Sequence, residues 1–203
     1  MSGATTGTAE RVMDAAEALI QQRGYAGFSF DDVAQAVGIR KPSVHHHFRT
    51  KAELVTELAL RHTRRFESAL AAIDVARSQP LARLKAYVRL FSRTYANDGR
   101  LCVCGMLGAE AGALPVGVAD AAADFFRLNL TWLAAAFRDA QNARQVRTDL
   151  RASALAEALL AALEGAMVVG RGARSGGGPA AVGKTFLAGI GARQQEWRLG
   201  EPP

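Results

Sequence analysis

The sequence predicts an all-α protein of about nine helices. Alanine is abundant, runs of β-branched residues are scarce, and alternation of apolar and polar residues with a period of two does not persist anywhere in the 203 residues. Hydrophobic residues make up 49% and charged residues 22% of the chain, which is ordinary for a protein with a buried core. No uninterrupted apolar stretch of about 18 residues occurs, so we expect no membrane-spanning helix. The N-terminus lacks the basic and apolar regions of a secretory signal, which predicts a cytoplasmic protein.

The first helix is predicted from Thr8, as its cap, to about Arg23, after a polar arm of residues 1–8 that we expect to be disordered. Gly24 ends this helix. Ser29, followed three residues later by Asp32, resembles a capping box with Asp in place of Glu and predicts the start of a second helix.

A helix-turn-helix is predicted for residues 31–51, DDVAQAVGIRKPSVHHHFRTK. Gly38 supplies the left-handed residue that ends a short helix. Pro42 stands where a first helical turn tolerates proline. Val44 and Phe48, four residues apart, give the second helix an apolar face. Two short helices joined in this way place the second one in the DNA major groove.

Positive charge is concentrated on and after that second helix. Residues 40–65 contain seven Lys or Arg and two Glu, so 7 − 2 = +5 of the chain's formal +6 falls there. A focused basic patch is the electrostatic footprint of nucleic-acid binding, and a merely solvated basic helix pair is the simpler alternative.

The remaining helices form a larger apolar body. The fourth helix runs from Lys51 to before Pro80 and is the only element predicted to connect the two parts. The seventh is apolar over more than one face, which predicts burial on several sides. The eighth and ninth carry more apolar surface than one subunit needs, which predicts a homodimer. The other predicted segments are a fifth helix over 80–97, a short apolar helix within 101–115, a seventh helix over 115–143, a polar connection over 142–149, an eighth helix over 150–169, a Gly-rich loop over 171–181 and a last helix over 179–197.

With this order of elements, the sequence resembles the TetR family of bacterial transcriptional regulators. The resemblance covers about residues 10–58 and is carried by AAEALIQQRGYAGFSFDDVAQAVGIRKPSVHHHFRTKAEL. Arg40 stands where the family often has a capping Ser, and His45 and His47 stand where tyrosines are frequent. The resemblance implies a DNA-binding domain over 9–50, and an effector-binding and dimerisation domain over 51–203.

The same resemblance implies a function and a set of contacts. It implies a homodimer, formed by the last two helices, that binds a palindromic operator and releases it when a small molecule occupies the C-terminal domain. The two recognition helices of such a dimer lie about 34 Å apart, in successive major grooves. The residues expected to face the groove are Arg40, Lys41, Pro42, Ser43, His45 and His46, and those expected to contact phosphate are Ser29, His47 and Lys51.

The run from His45 to His47 does not predict a metal site. Successive residues of a helix point about 100° apart, so three in a row cannot converge on one ion. We expect no cofactor.

Cys102 and Cys104 are expected to be thiols, because the chain has the composition of a cytosolic protein. The segment LCVCGMLGAE resembles a Cys-containing segment of one branch of the family, some members of which respond to electrophiles or aromatic compounds. A helix start near Arg100 would lower a thiol pKa and predicts a sensor, whereas a buried cysteine is commonly a small hydrophobe. Both interpretations stay open.

An effector pocket is predicted within the body. Its apolar walls would come from part of an aromatic set, with Glu110 or Asn129 as a polar anchor. The remaining predicted pocket residues are Phe66, Phe91, Tyr95, Met106, Phe125 and Trp132.

Enzyme motifs are absent from the sequence, so we expect no catalytic activity. One alternative is a helical small-molecule carrier or enzyme whose N-terminal unit is only structural, and it predicts no sequence-specific DNA binding. A second alternative is a DNA-architecture protein without an effector. The focused charge disfavours the first, and the large apolar body disfavours the second.

Overall fold

A computed structural model describes residues 7–174 and 177–191, and its regular elements are nine α-helices and one 3₁₀ turn. The all-α prediction is therefore confirmed, and most helix positions match it. The helices are α1 Thr8–Arg23, α2 Phe30–Val37, α3 Lys41–His47, α4 Lys51–Ala76, α5 Pro80–Ala96, α6 Val103–Ala109, α7 Val116–Asn142, α8 Ala152–Gly172 and α9 Gly178–Gly189, with the 3₁₀ turn at Ala111–Ala113.

The first three helices, here called the DNA-binding unit, pack around a core that they share with the rest of the chain. Ile20, Val33 and Val44 of this unit are fully buried. The same cluster continues into the start of α4 and includes Leu107 of α6 and Val118 of α7. A three-helix unit is too small to bury enough apolar surface alone, so these later helices complete its core.

The body consists of the later part of α4 with α5, α7, α8 and α9. The helix α7 lies in its middle and packs on α4, α5, α6 and α8, as its apolar circumference predicts. Phe125, Leu133 and Phe137 of α7 are fully buried. Val146 forms an isolated bridge with Gly191, which ties the α7–α8 connection to the chain just after α9.

Some helix ends differ from the prediction. Gly7, not Thr8, precedes the first helical residue, and no side chain caps α1. The short apolar helix ends at Ala109 and continues as the 3₁₀ turn, because Gly112 and Pro115 follow within six residues. The last helix ends at Gly189, whereas the predicted end at Trp197 lies outside the described residues, as do most of the predicted N-terminal arm and two residues of the Gly-rich loop.

The helix α8 is strongly apolar over its 21 residues. It alone among them is long and apolar enough to span a membrane on those two criteria, and 39% of its apolar window is buried within the chain. It packs on α7 and α9 as a core helix does. Val168 and Val169 of α8 and Val182 of α9 stay 58%, 66% and 38% exposed.

Candidate nucleic-acid interface and its connection to the body

The helix-turn-helix is held by local caps. The Ser29 hydroxyl donates to Asp32 Oδ2 at 2.6 Å and accepts from the Asp32 N–H at 3.3 Å, while the Ser29 N–H donates to the same carboxylate at 2.8 Å. The predicted capping box is therefore confirmed. Gly38 adopts φ 74° and ψ 38°, and the N–H groups of Gly38 and Ile39 both donate to Ala34 O at 3.0 Å. These bonds fix the direction in which α3 leaves the turn.

The helix α3 buries one side chain and exposes the others. Val44 is fully buried against the DNA-binding unit, and Phe48 behind it is 7% exposed. Every residue predicted to face the groove is exposed, and so is His47, which is predicted to contact phosphate. These are Arg40, Lys41, Pro42, Ser43, His45, His46 and His47.

Weak surface contacts orient some of these exposed side chains. Lys41 Nζ lies 2.7 Å from Asp31 Oδ2, with both side chains largely in solvent. The His45 ring meets Phe30 edge-on with centroids 4.8 Å apart, and the His46 and His47 rings lie 5.3 Å apart. Exposed contacts of this kind contribute little to stability, so these side chains are available to a ligand at small energetic cost. In residues 7–174 and 177–191, no three or more His, Cys, Asp or Glu side chains are grouped so as to hold a metal ion.

Lys51, expected to contact phosphate, has internal partners in this structure. Its ammonium donates to Phe28 O and lies 4.5 Å and 4.2 Å from the ring centroids of Tyr25 and Phe28. Partial burial lowers the pKa of this ammonium. Lys51 therefore holds the α1–α2 loop against the start of α4.

Two of the seven cations counted in the basic patch are paired with acids of α1. Arg61 lies 2.8 Å from both Asp14 and Glu17 of α1, and Arg65 lies 3.0 Å from Glu17. Both arginines of α4 therefore pair with α1. The focused charge inferred from the sequence was too large, because acids distant in the chain neutralise part of it.

Glu110, predicted as a polar anchor for an effector, has a different role in the structure. Its carboxylate accepts from the Tyr25 N–H at 2.7 Å and from the Ala26 N–H at 3.1 Å, just after α1 ends. No pattern in the sequence indicates these partners, because they are backbone groups 84 and 85 residues away. Glu110 therefore connects the end of α6 to the DNA-binding unit.

Arg171 provides a second connection that the sequence did not reveal. Near the end of α8, it donates through Nη1 to Gln21 O at 2.9 Å and through Nη2 to Gln22 O at 2.7 Å. These carbonyls belong to the last turn of α1, where a cation is favoured by the helix dipole. The expectation that α4 alone joins the two parts was therefore wrong, since α6 and α8 also contact α1.

The two cysteines lie at the start of α6, but neither is activated. Cys102 is 4% exposed and Cys104 is fully buried. Burial and the nearby Glu164 carboxylate raise the pKa of both thiols well above the usual range. Of the two open interpretations, the raised pKa favours the packed small hydrophobe over the sensor, because loss of hydration disfavours the thiolate.

The predicted aromatic pocket residues come together as a packed cluster between α4, α5 and α7. The Phe66 ring lies 5.0 Å from Phe125 and 5.7 Å from Phe91, and Trp132 stacks on Tyr87 at 5.5 Å. Tyr87 Oη donates to Asn129 Oδ1 at 2.7 Å. The other predicted residues lie at its margin: Met106 packs against this core and near Gly24, and Tyr95 lies against Gly170 and Gly178.

Two polar side chains near this cluster were missed by the sequence analysis. His62 of α4 lies 5.2 Å from the Phe125 ring, and its Nε2 is buried without a hydrogen-bond partner in the described part of the chain. Glu164 of α8 lies against Cys102 and Gly105, and its Oε1 is likewise buried and unpaired there. Burial raises the pKa of Glu164 to about 7. A single His or Glu on a predicted helix gives no signal of such a position.

Comparison with known proteins places this geometry among bacterial regulators. Residues 12–58 match the model of the family described as bacterial regulatory proteins, tetR family. The transcriptional regulator AcuR of Cereibacter sphaeroides is 34% identical over 161 residues, which cover 73% of this chain and 69% of AcuR.

Solved structures give the same result over the whole fold. A TetR-family regulator from Agrobacterium tumefaciens is 32% identical with a TM-score of 0.85, over 91% of this chain and 97% of that one. A TetR regulator from Legionella pneumophila is 27% identical with a TM-score of 0.83, over 93% and 100% of the two chains. The similarity therefore extends beyond the helix-turn-helix to the body.

Proposed function

The chain belongs to the TetR family of bacterial transcriptional regulators, and on that premise we propose that it is a ligand-responsive repressor. Regulators of this family bind DNA as homodimers and respond to small-molecule effectors. We propose that this chain binds a palindromic operator in the cytoplasm and releases it when an effector occupies the body. A ligand can shift that equilibrium only by the difference in its affinity for the two states.

The observation that carries the proposal is the contrast within α3. One buried valine anchors a seven-residue helix whose lysine and three imidazoles are exposed, and the exposed Arg40 precedes it. Arg and Lys are the side chains best suited to guanine edges and phosphates, and Ser and His can donate to either. We therefore assign base contacts to Arg40 and Lys41 and supporting contacts to the residues that follow.

Operator binding is tested with DNA from immediately upstream of the gene, compared with a random duplex of equal length at several salt concentrations. We expect a salt-dependent preference for the upstream DNA. Lys41→Ala should weaken specific binding by about 1–3 kcal/mol, because it removes one cationic contact to the groove. Lys85→Ala, an exposed lysine of α5, is the matched control and should bind as the unmodified chain does.

Equal affinity for both duplexes would contradict the repressor proposal and favour the alternative of a carrier or enzyme with a structural N-terminal unit. If Lys41→Ala leaves specific binding unchanged, the regulator proposal stands, but Lys41 does not contribute to the interface with the operator.

The dimer surface is proposed on α8 and α9. Val168, Val169 and Val182 are large apolar side chains that these helices leave exposed. Helix pairs of two subunits would bury them in a symmetric interface, as the apolar composition of α8 also favours.

The effector is proposed to bind beside the aromatic cluster of α4, α5 and α7. The rings offer apolar contact. His62 Nε2 and Glu164 Oε1 are buried and have no hydrogen-bond partner within the described residues, so an effector that bonds to them would offset the cost of their burial. We infer a small, largely apolar effector with a polar group, bound without a covalent bond. The buried, protonated thiols disfavour an electrophile as the effector.

Treatment of the protein with N-ethylmaleimide before the DNA-binding measurement tests that last point. We expect unchanged operator affinity, because neither thiol is exposed or ionised. Loss of operator binding that Cys102→Ser or Cys104→Ser prevents would instead establish a thiol sensor.

A further inference from the structure

A polar cleft of about 430 Å³ lies at the junction between the DNA-binding unit and the body. Its walls are the end of α1, the loop between α5 and α6, and the end of α8. Three arginines and one acid line it, Arg23, Arg100, Arg171 and Asp98, so the formal charge of the lining is 3 − 1 = +2. We call it the junction cleft.

The three arginines differ in the partners that the described residues provide for their guanidinium groups. Arg23 lies 3.2 Å from Asp32 on the surface. Arg171 uses two of its donors on the carbonyls of Gln21 and Gln22. The Nε of Arg100 is buried and has no hydrogen-bond partner within residues 7–174 and 177–191. A buried donor on a permanently charged group is normally paired, and an ion is one way to pair it.

The remaining electrostatics of the junction cleft also favour an anion. The end of α1 carries the partial negative charge of a helix C-terminus, but Arg171 already caps its last carbonyls. The planar guanidinium group offers parallel N–H donors that match the oxygens of carboxylate and phosphate. The lining therefore combines net positive charge, guanidinium donors and one donor without a partner in the described residues.

We propose that the junction cleft binds a small oxyanion, a phosphate or carboxylate group, through Arg100 and Arg171. This site is separate from the aromatic cluster proposed above for the effector, and it requires neither that effector nor an operator. Because Arg171 also holds the last turn of α1, the bound anion lies where the body contacts the DNA-binding unit.

The proposal is tested by isothermal titration calorimetry of the full chain with inorganic phosphate, at an ionic strength held constant with chloride. We expect one saturable site with an affinity in the millimolar range or tighter. Arg100→Gln should weaken phosphate binding about tenfold or more, because it removes charge-assisted hydrogen bonds. The matched control is Arg138→Gln, an exposed arginine of α7, which should leave binding unchanged.

A second control separates this site from the DNA face. Arg40→Gln removes a cation next to the recognition helix and should also leave phosphate binding unchanged. Acetate titrations distinguish the two ligand sources, since a carboxylate site binds acetate and a phosphate site favours phosphate. Saturable binding of either anion that Arg100→Gln weakens supports the proposal.

Backbone amide shifts provide a measurement that does not depend on the folding of a variant. Phosphate added to the unmodified chain should shift the amides of Gly99 and Arg100 and leave that of Gly38 in place. Absence of saturable binding for both anions, binding that Arg100→Gln leaves unchanged, or shifts confined to the DNA face would each overturn the proposal.

Discussion

The helices α3 and α8 use polar side chains in opposite ways. In α3, one of seven residues is buried, and the polar side chains point to solvent with local partners or none within the described residues. In α8, eight of 21 residues are buried, and Glu164 and Arg171 lie against α6 and α1. We therefore expect exchange of the polar residues of α3 to affect folding little, whereas Glu164 and Arg171 of α8 take part in packing against α6 and α1.

The largest expected effect tests the packing of α8. Leu163 is fully buried, so Leu163→Ala should lower the free energy of unfolding by about 2–5 kcal/mol through lost burial and a residual cavity. Urea unfolding followed by circular dichroism measures this. Leu150→Ala, at a leucine that is 42% exposed, is the matched control and should change stability by about 0.5 kcal/mol or less. Equal losses in the two variants would show that α8 is not a core helix.

The next effect tests the buried carboxyl of α8 through pH. Burial raises the Glu164 pKa from 4.5 to about 7, so the folded state holds a proton that the unfolded chain releases between these values. The stability from this proton is fully present below the unfolded pKa and is lost as pH rises through the folded pKa. As pH rises from 5 to 8, the unmodified chain should therefore lose stability that Glu164→Gln keeps. The free energy of unfolding of Glu164→Gln should increase relative to that of the unmodified chain by roughly 1–3 kcal/mol over this range.

The matched control for that pH profile is Glu157→Gln, an exposed glutamate of the same helix. It should follow the pH dependence of the unmodified chain. A Glu164→Gln profile parallel to that of the unmodified chain would contradict the assignment of a raised pKa.

The same contrast explains which features the sequence could reveal. The elements of the DNA-binding unit depend on neighbours three to six residues apart, such as Ser29 with Asp32 and Gly38 with Ala34, and such pairs are visible in a linear sequence. The hydrophobic spacing of the helices likewise predicts which faces are buried.

The connections within the body depend on partners far apart in the chain. Glu110 bonds to residues 84 and 85 positions away, and Arg171 bonds to residues 149 and 150 positions away. The pKa of Cys102 depends on burial and on Glu164 from another helix. Spacing along one sequence carries no information about such pairs, so it could not reveal the internal partners of Glu110 and Lys51 or the burial of the thiols.

The smallest expected effect tests the local rule in the DNA-binding unit itself. Ser29→Ala removes the hydroxyl that accepts from the Asp32 N–H, so α2 loses its N-cap and the free energy of unfolding should fall by about 1 kcal/mol. Ser43→Ala is the matched control, because the structure gives that exposed serine of α3 no capping bond, and its stability should not fall. Urea unfolding of both variants decides the point. An equal loss from Ser43→Ala would mean that the hydroxyls of α3 also take part in folding, and the contrast between α3 and α8 would then be wrong.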